Sequence, residues 1–313
     1  MLSLNIAHRG GADLWPENTI AAFRNAASHG ADGAELDVQL SRDGELIVFH
    51  DYRLKPEICR GPDGTWIEKP TPRIKDLSLA ELRAFDIGRA NPQSAYARAH
   101  QGLTPSDGER IPTLDEVIAV VKGAARPFKL FVELKTSFAD RAAGPDPVAL
   151  AEATLKVLRA NDYVRHSILV GFDWPGLLHA KNLAPECECW FTTLDSRWFE
   201  EGEPPPESDP PPKPMLEALR HWARMGNSPW SGGYDAVKYD GSILKAIRAA
   251  GGDGWFPAYT DITAERVAEA RALGLKVGAW TVDEPAEMKR LLDLGIDAIC
   301  TDRPDVLAEI RIS

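Results

Sequence analysis

Two histidines, three carboxylates, an arginine and a lysine stand in this 313-residue chain at points where short apolar runs stop. His8 and Arg9 follow Leu4 to Ala7. Glu35 and Asp37 sit in ELDVQL, His50 ends LIVFH, and Glu133 and Lys135 alternate with Val132 and Leu134 in VELK. Imidazoles titrate near neutrality, so His8 and His50 have the chemistry of a general base and a general acid. Three carboxylates with no thiolate or paired-histidine motif suit one hard divalent ion with oxygen ligands, Mg²⁺ or Ca²⁺ rather than zinc. Against a dication they leave one negative charge, so an anionic substrate needs further cations, which Arg9 and Lys135 supply. Hydrolysis of a phosphodiester uses such a set, with one imidazole taking the nucleophile's proton and the other protonating the leaving alkoxide. Trp280, ending LKVGAW, either packs in the core or walls the substrate pocket. His29, His100, His166, His179 and His221 read as structural histidines, and Cys187 and Cys189 as free thiols.

These residues need a scaffold that brings distant strand ends to one rim. Residues 35–51 read as two antiparallel strands joined at Asp43-Gly44, a pair that tolerates the positive φ of a two-residue hairpin turn. That turn sets Asp37 opposite His50. It puts Glu35, Asp37, Gln39, Val48 and His50 on one face and Leu36, Val38, Leu40, Ile47 and Phe49 on the other. Elsewhere the chain repeats helix, glycine, strand: Ile20 to His29 capped by Asn18 or Thr19, then Gly30; Ala264 to Leu273, Gly274, Leu275 to Trp280; Pro285 to Leu294, Gly295, Asp297 to Thr301. Further strands are expected at Lys129 to Leu134, Ser167 to Gly171, Glu188 to Thr192 and Asp235 to Tyr239.

Nine strands result. The hairpin's second arm is antiparallel, which leaves eight for a distorted (β/α)8 TIM barrel with loop insertions at its C-terminal mouth. Residues 1–313 form one domain in this reading. Segment 52–112, with one helix at Ser78 to Phe85, is an insertion expected to cap the mouth. Segment 195–233, rich in Pro and Trp, is expected to be an extended excursion followed by a helix carrying Trp222.

Composition narrows the partners. A net charge of -11 excludes a nucleic-acid surface and stable docking to anionic membranes, leaving a small solute. No apolar run approaches the roughly 20 residues of a membrane span. Four cysteines make no disulfide framework, and no secretory signal opens the chain, so a cytoplasmic location is expected. Oligomeric state is not written in the pattern.

The ordered set HRG (8–10), PENT (16–19), ELDV (35–38), DGELIVFHD (43–51), VELK (132–135), AWTVD (279–283) and TDRPD (301–305) resembles the glycerophosphodiester phosphodiesterase family over nearly the whole chain. The resemblance implies a TIM barrel like that of phosphatidylinositol phospholipases C. It also implies hydrolysis of diesters such as glycerophosphocholine to glycerol 3-phosphate and an alcohol. By that likeness His8 and His50 are the acid–base pair, Glu35, Asp37 and Glu133 the Mg²⁺ or Ca²⁺ ligands, and Arg9, Lys135 and Trp280 the substrate contacts. The nucleophile is either a neighbouring glycerol hydroxyl or water. Glu17 and Asn18 are expected to shape the first loop. The long 195–233 segment, with Trp198, Trp222 and Trp230, departs from compact relatives and leaves room for lysophospholipase D or sugar-phosphodiester activity. A non-catalytic barrel that only binds a phosphorylated metabolite is the remaining alternative.

Overall fold

The computed structural model describes residues 2–312. Its strands are β1 (Leu4–Ala7), β2 (Gly33–Leu40), β3 (Leu46–Val48), β4 (Lys129–Leu134), β5 (Ser167–Gly171), β6 (Glu188–Thr192), β7 (Gly254–Phe256), β8 (Lys276–Ala279) and β9 (Ala298–Thr301). All but β3 are parallel, and they close into a TIM-type ring in which β9 and β2 both pair with β1. Because β1 is only four residues long, it meets β2 just at Gly33 and Ala34. The upper edge of β2 is then covered by β3, antiparallel, at Val38 to Leu40.

Side-chain alternation divides the apolar residues into two layers. Leu36, Val38, Leu130, Val132 and Leu169 point outward beneath the helices. Ile6, Phe131, Ile168, Val170, Trp190 and Phe256 fill the ring. The Trp190 indole stands edge-on to Phe131 at 5.1 Å, and it leaves no space on two neighbouring strands. A Cβ at Gly254 would lie 2.6 Å from it and one at Gly278 2.9 Å, so both positions need glycine for close approach. This apolar plug fills the inside, and the polar residues of β2 and β4 collect at the C-terminal rim.

The hairpin register differs from expectation by one residue. Ser41 N–H donates to Glu45 O, Gly44 N–H donates to Ser41 O, and Gly44 has φ +82°, so the loop has three residues, Arg42-Asp43-Gly44, with glycine in the left-handed position. Val38 therefore pairs with Val48, and Phe49 N–H donates to Asp37 O, setting Asp37 against Phe49 rather than His50. Val48 and Leu46 join Leu36 and Val38 in the outer core, while Ile47 and Phe49 pack into a separate cluster with Leu54, Ile58, Ile74 and Leu82 of the following segment. The register is testable. Val48→Asp is expected to cost about 3–5 kcal/mol, because it buries an unpaired carboxylate. Thermal unfolding by circular dichroism reads it, and an unchanged midpoint would contradict the register.

Three further expectations are corrected. Asp235 to Tyr239 is not a strand but leads into a 3₁₀ turn, Ala236–Tyr239, and the sixth parallel strand of the ring is Gly254–Phe256. Segment 195–233 is folded rather than extended. Asp195 caps a 3₁₀ turn at Ser196–Phe199, the Trp198 indole donates to Ser208 O, and Arg220 of the helix Lys213–Met225 donates to Trp198 O. In segment 52–112 the expected helix shrinks to Leu79–Leu82, closed by a Ser78–Glu81 capping box, and a second short helix, Ala95–Ala99, appears.

Candidate active site

The rim assembles from strand ends far apart in sequence. After β1 the chain makes a tight turn with Arg9 at φ 49°, and Asn18 stands at φ 56° at the end of the same loop. Left-handed backbone is uncommon for such residues, and it aims both side chains into the ring. Arg9 N–H donates to Glu35 Oε2 (3.1 Å), its Nη1 to Glu17 Oε1 (3.1 Å), and its Nε lies 3.5 Å from Asp37 Oδ2. Asn18 Nδ2 donates to Asp37 Oδ2 at 2.8 Å. Glu17 also accepts from the Tyr96 hydroxyl at 2.6 Å, which ties segment 52–112 to this loop.

Glu35, Asp37 and Glu133 each offer an oxygen within 4.8 Å of the others. Glu35 and Asp37 are 3% and 1% exposed. Lys135 Nζ donates to Glu133 Oε1 at 2.7 Å and lies 3.6 Å from Asp37. Burial and then the charge of Asp37 push Glu35 up to about 8. Burial would raise Asp37 too, but His50, Lys135, Arg9 and the Asn18 hydrogen bond hold it well below the usual carboxylate range. Three crowded acidic groups, one of them driven toward its neutral form, fit a divalent ion. Oxygen ligands about 2.0–2.6 Å from one ion stand up to about 4–5 Å apart, and the donor set is all oxygen.

The two histidines flank this trio. His8 Nδ1 meets Asp302 Oδ1 at 2.7 Å, and Nε2 lies 3.8 Å from Glu35 Oε2. Burial lowers the affinity of His8 for a proton, but the Asp302 carboxylate prevails and carries it up to about 9. Asp302 is fixed in turn by its N–H donating to Asp283 Oδ1 (2.8 Å). His50 reaches the site despite the shifted register, because β3 stops at Val48 and the chain bends. Gln39, 1% exposed, holds the bend by donating Nε2 to the carbonyls of Phe49 and Asp51 (2.7 and 2.9 Å). Burial, then Lys135 and Arg9, lower the pKa of His50. Four buried polar atoms here have no hydrogen-bond partner: Arg9 Nε, Asn18 Oδ1, His50 Nδ1 and Asp51 Oδ2. His50 Nδ1 and Asp51 Oδ2 face each other at 3.5 Å and Arg9 Nε faces Asp37 Oδ2 at 3.5 Å, so of the four only Asn18 Oδ1 stands without a close partner.

Trp280 lies just past β8, half-buried, its Nε1 donating to Phe256 O (3.0 Å) and its ring edge-on to Phe172 at 5.3 Å. It borders a 340 Å³ cavity that Glu133, Lys135 and Tyr52 also line. Asp13, His100 and Asp302 form a second acidic group within 4.8 Å, but Asp302 is committed to His8 and His100 stacks on Tyr96 at 4.0 Å. The structure thus brings all eight sequence-selected residues to one rim.

Residues 8–306 match the model of one family, described as Glycerophosphoryl diester phosphodiesterase. The chain belongs to the glycerophosphoryl diester phosphodiesterase family. A glycerophosphodiester phosphodiesterase of Caldanaerobacter subterraneus subsp. tengcongensis is 28% identical over 310 residues, covering 99% of this chain and 98% of that one. A Silicibacter pomeroyi structure assigned as a glycerophosphoryl diester phosphodiesterase superposes with a TM-score of 0.79 at 27% identity, covering 99% and 94% of the two chains. An Oleispira antarctica phosphodiesterase, solved with the product sn-glycerol-3-phosphate, shares the fold at 24% identity and TM-score 0.65, covering 100% and 98%.

Within this family site, sequence reasoning passed over three positioning residues: Asp302, Gln39 and Tyr96. Asp302 stood in the quoted TDRPD motif but received no role. Gln39 stands on the polar face of the hairpin but is given no role there, and Tyr96 carries no signal, since each works through a contact that only the folded loops create.

Proposed function

We propose that this enzyme hydrolyses glycerophosphodiesters to glycerol 3-phosphate and an alcohol, with His8 and His50 as the acid–base pair and one divalent ion, Mg²⁺ or Ca²⁺. The observation that carries the reading is the buried carboxylate trio with His8 and His50 flanking it and Arg9 and Lys135 set against it. Family membership and the 28% identical relative named for this activity agree with it.

Glu35, Asp37 and Glu133 would hold the ion, which when bound supplies charge to polarise the phosphoryl oxygens. The chain's own residues do the rest. Arg9, oriented by Glu17, and Lys135, beside Glu133, bind the non-bridging oxygens of the phosphate. His50, kept neutral by burial among cations, takes the proton of the attacking hydroxyl, whether from glycerol or water. His8, held by Asp302 through Nδ1, presents Nε2–H to the departing alkoxide. Segment 52–112 closes one side of the mouth through Tyr96 and Glu17, and segment 195–233 the other. Four buried free cysteines suit a reducing cytoplasm. No helix among the described residues is long and apolar enough to cross a membrane.

The deciding assay is enzymatic detection of glycerol 3-phosphate released from glycerophosphocholine and glycerophosphoethanolamine in the presence of Mg²⁺ or Ca²⁺. Release from at least one diester is expected. Tight binding of both without any release would instead support the non-catalytic alternative.

A further inference from the structure

Lys135 and Thr136 stand beyond the last ladder pairs of β4, which are Leu134 with Val38 on one side and Glu133 with Val170 on the other. Lys135 keeps one bond to the neighbouring strand, its N–H donating to Val38 O (3.1 Å). Thr136 N–H folds back onto Leu134 O (3.0 Å), which makes a three-residue γ-turn centred on Lys135. The set of that turn decides where Lys135 Nζ lies, here 2.7 Å from Glu133 and 3.6 Å from Asp37. One side chain on the next strand end holds it. Thr136 Oγ1 donates to Asp173 Oδ2 at 2.7 Å, and both residues are buried.

Asp173 occupies the N-cap position of the helix Trp174–Leu183 but makes no capping hydrogen bond. Asp146, at the same position of the helix Pro147–Ala160, caps in the ordinary way, accepting from the N–H groups of Val148 and Ala149 at 3.0 Å each. Asp173 turns toward β4 instead, where Arg141 donates to both of its oxygens, Nη2 to Oδ1 at 3.0 Å and Nη1 to Oδ2. That fork already compensates the buried charge. The bond from Thr136 is therefore additional to what burying Asp173 requires, and what it adds is a fixed position for the residue after Lys135. Arg141 Nη2 also reaches Pro229 O (3.3 Å), and Trp174 N–H donates to Trp230 O (2.8 Å), so segment 195–233 anchors the carboxylate in turn.

We propose that Asp173 and Thr136 are positioning residues for phosphate binding: their hydrogen bond fixes the turn at Lys135 and so the aim of its ammonium group at the substrate. The proposal rests on the phosphodiesterase reading above, in which Lys135 binds the non-bridging oxygens, and extends it to two residues that act through Lys135.

The test uses glycerophosphocholine or glycerophosphoethanolamine, whichever the unaltered enzyme hydrolyses faster. Thr136→Val removes the hydroxyl at nearly constant shape and leaves Asp173 paired with Arg141, so the protein should fold, with its melting temperature as the check. It is expected to lower kcat/KM about tenfold, mainly through KM, because a charge-assisted hydrogen bond to the phosphate loses its alignment. Thr136→Ser keeps the hydroxyl and should retain the original kcat/KM. Asp173→Ala should reproduce the loss, although Asp173 is not among the residues that line the 340 Å³ cavity. Lys135→Gln separates aim from fold. In that background Thr136→Val should have no further effect, whereas a purely structural role would lower kcat/KM by the same factor in both. Equal losses in the two backgrounds, or Thr136→Val at unaltered kcat/KM, overturn the positioning role alone. Asp173→Ala at unaltered kcat/KM beside an impaired Thr136→Val overturns the part given to Asp173 and makes Thr136 a direct substrate contact. No release from either diester by the unaltered enzyme overturns the phosphodiesterase reading along with the proposal.

Discussion

Chelation with EDTA is expected to extinguish hydrolysis, with one of Mg²⁺ or Ca²⁺ restoring it, and to leave a measurable trace on stability as well. Glu35 is buried beside Asp37 and pushed up to about 8, above its unfolded value. A carboxyl raised by folding binds its proton more tightly in the folded state, so ion-free protein should lose stability as pH climbs from about 4.5 toward 8. Adding the ion at 100 times its Kd should return about 2.7 kcal/mol, read as a rise in melting temperature. Glu35→Gln then separates two effects with opposite signs. The ion-free protein should become more stable near pH 8, since one of three crowded charges is gone, while the ion's thermal shift and the activity both collapse. A thermal shift from Mg²⁺ or Ca²⁺ that survives Glu35→Gln would place the ion elsewhere.

The second large effect concerns the imidazoles. His50→Ala or His8→Ala is expected to lower kcat by about 10²–10⁴-fold with a small change in KM, the range for a lost proton-transfer group. Their pH dependences differ in sign. In the proposed mechanism His50 acts neutral and His8 protonated, so kcat should fall as pH drops through the lowered pKa of His50 and fall again as pH rises through the raised pKa of His8. Asp302→Asn removes the carboxylate that lifts His8, so the alkaline limb should move to lower pH while the acid limb stays in place. The displacement between the two enzymes, measured on kcat, is the readout. An alkaline limb that does not move would mean that Asp302 merely supports the fold.

The candidate constellation is legible from the sequence because its members stand at the ends of apolar runs, and in a parallel barrel all such ends face the same way. Register was less so. Asp43-Gly44 suits both a two-residue turn and the last two positions of a three-residue loop, and the two differ by one residue, enough to move Val48 from the polar face to the core. Gly254–Phe256 is three residues between a Gly-Gly-Asp stretch and Pro257, too short to show periodicity, while Asp235 to Tyr239 is a short apolar-centred run that reads as a strand and folds into a 3₁₀ turn. His50 lies beside the carboxylate trio although the pairing expected to put it there is wrong. What brings it there is the Gln39 amide and the early end of β3, a local detail that periodicity cannot carry.

The brevity of β1 has one more consequence. With only two residues of β2 engaged by β1, β3, the strand that leads to His50, attaches alongside the ring instead of within it. Segment 52–112 after β3 and segment 195–233 after β6 are consequently grafted onto the barrel at separate points, and lengthening either adds only a slowly growing closure entropy. Exchanging segment 195–233 between barrels is then expected to alter that side of the mouth and leave the hairpin side unchanged.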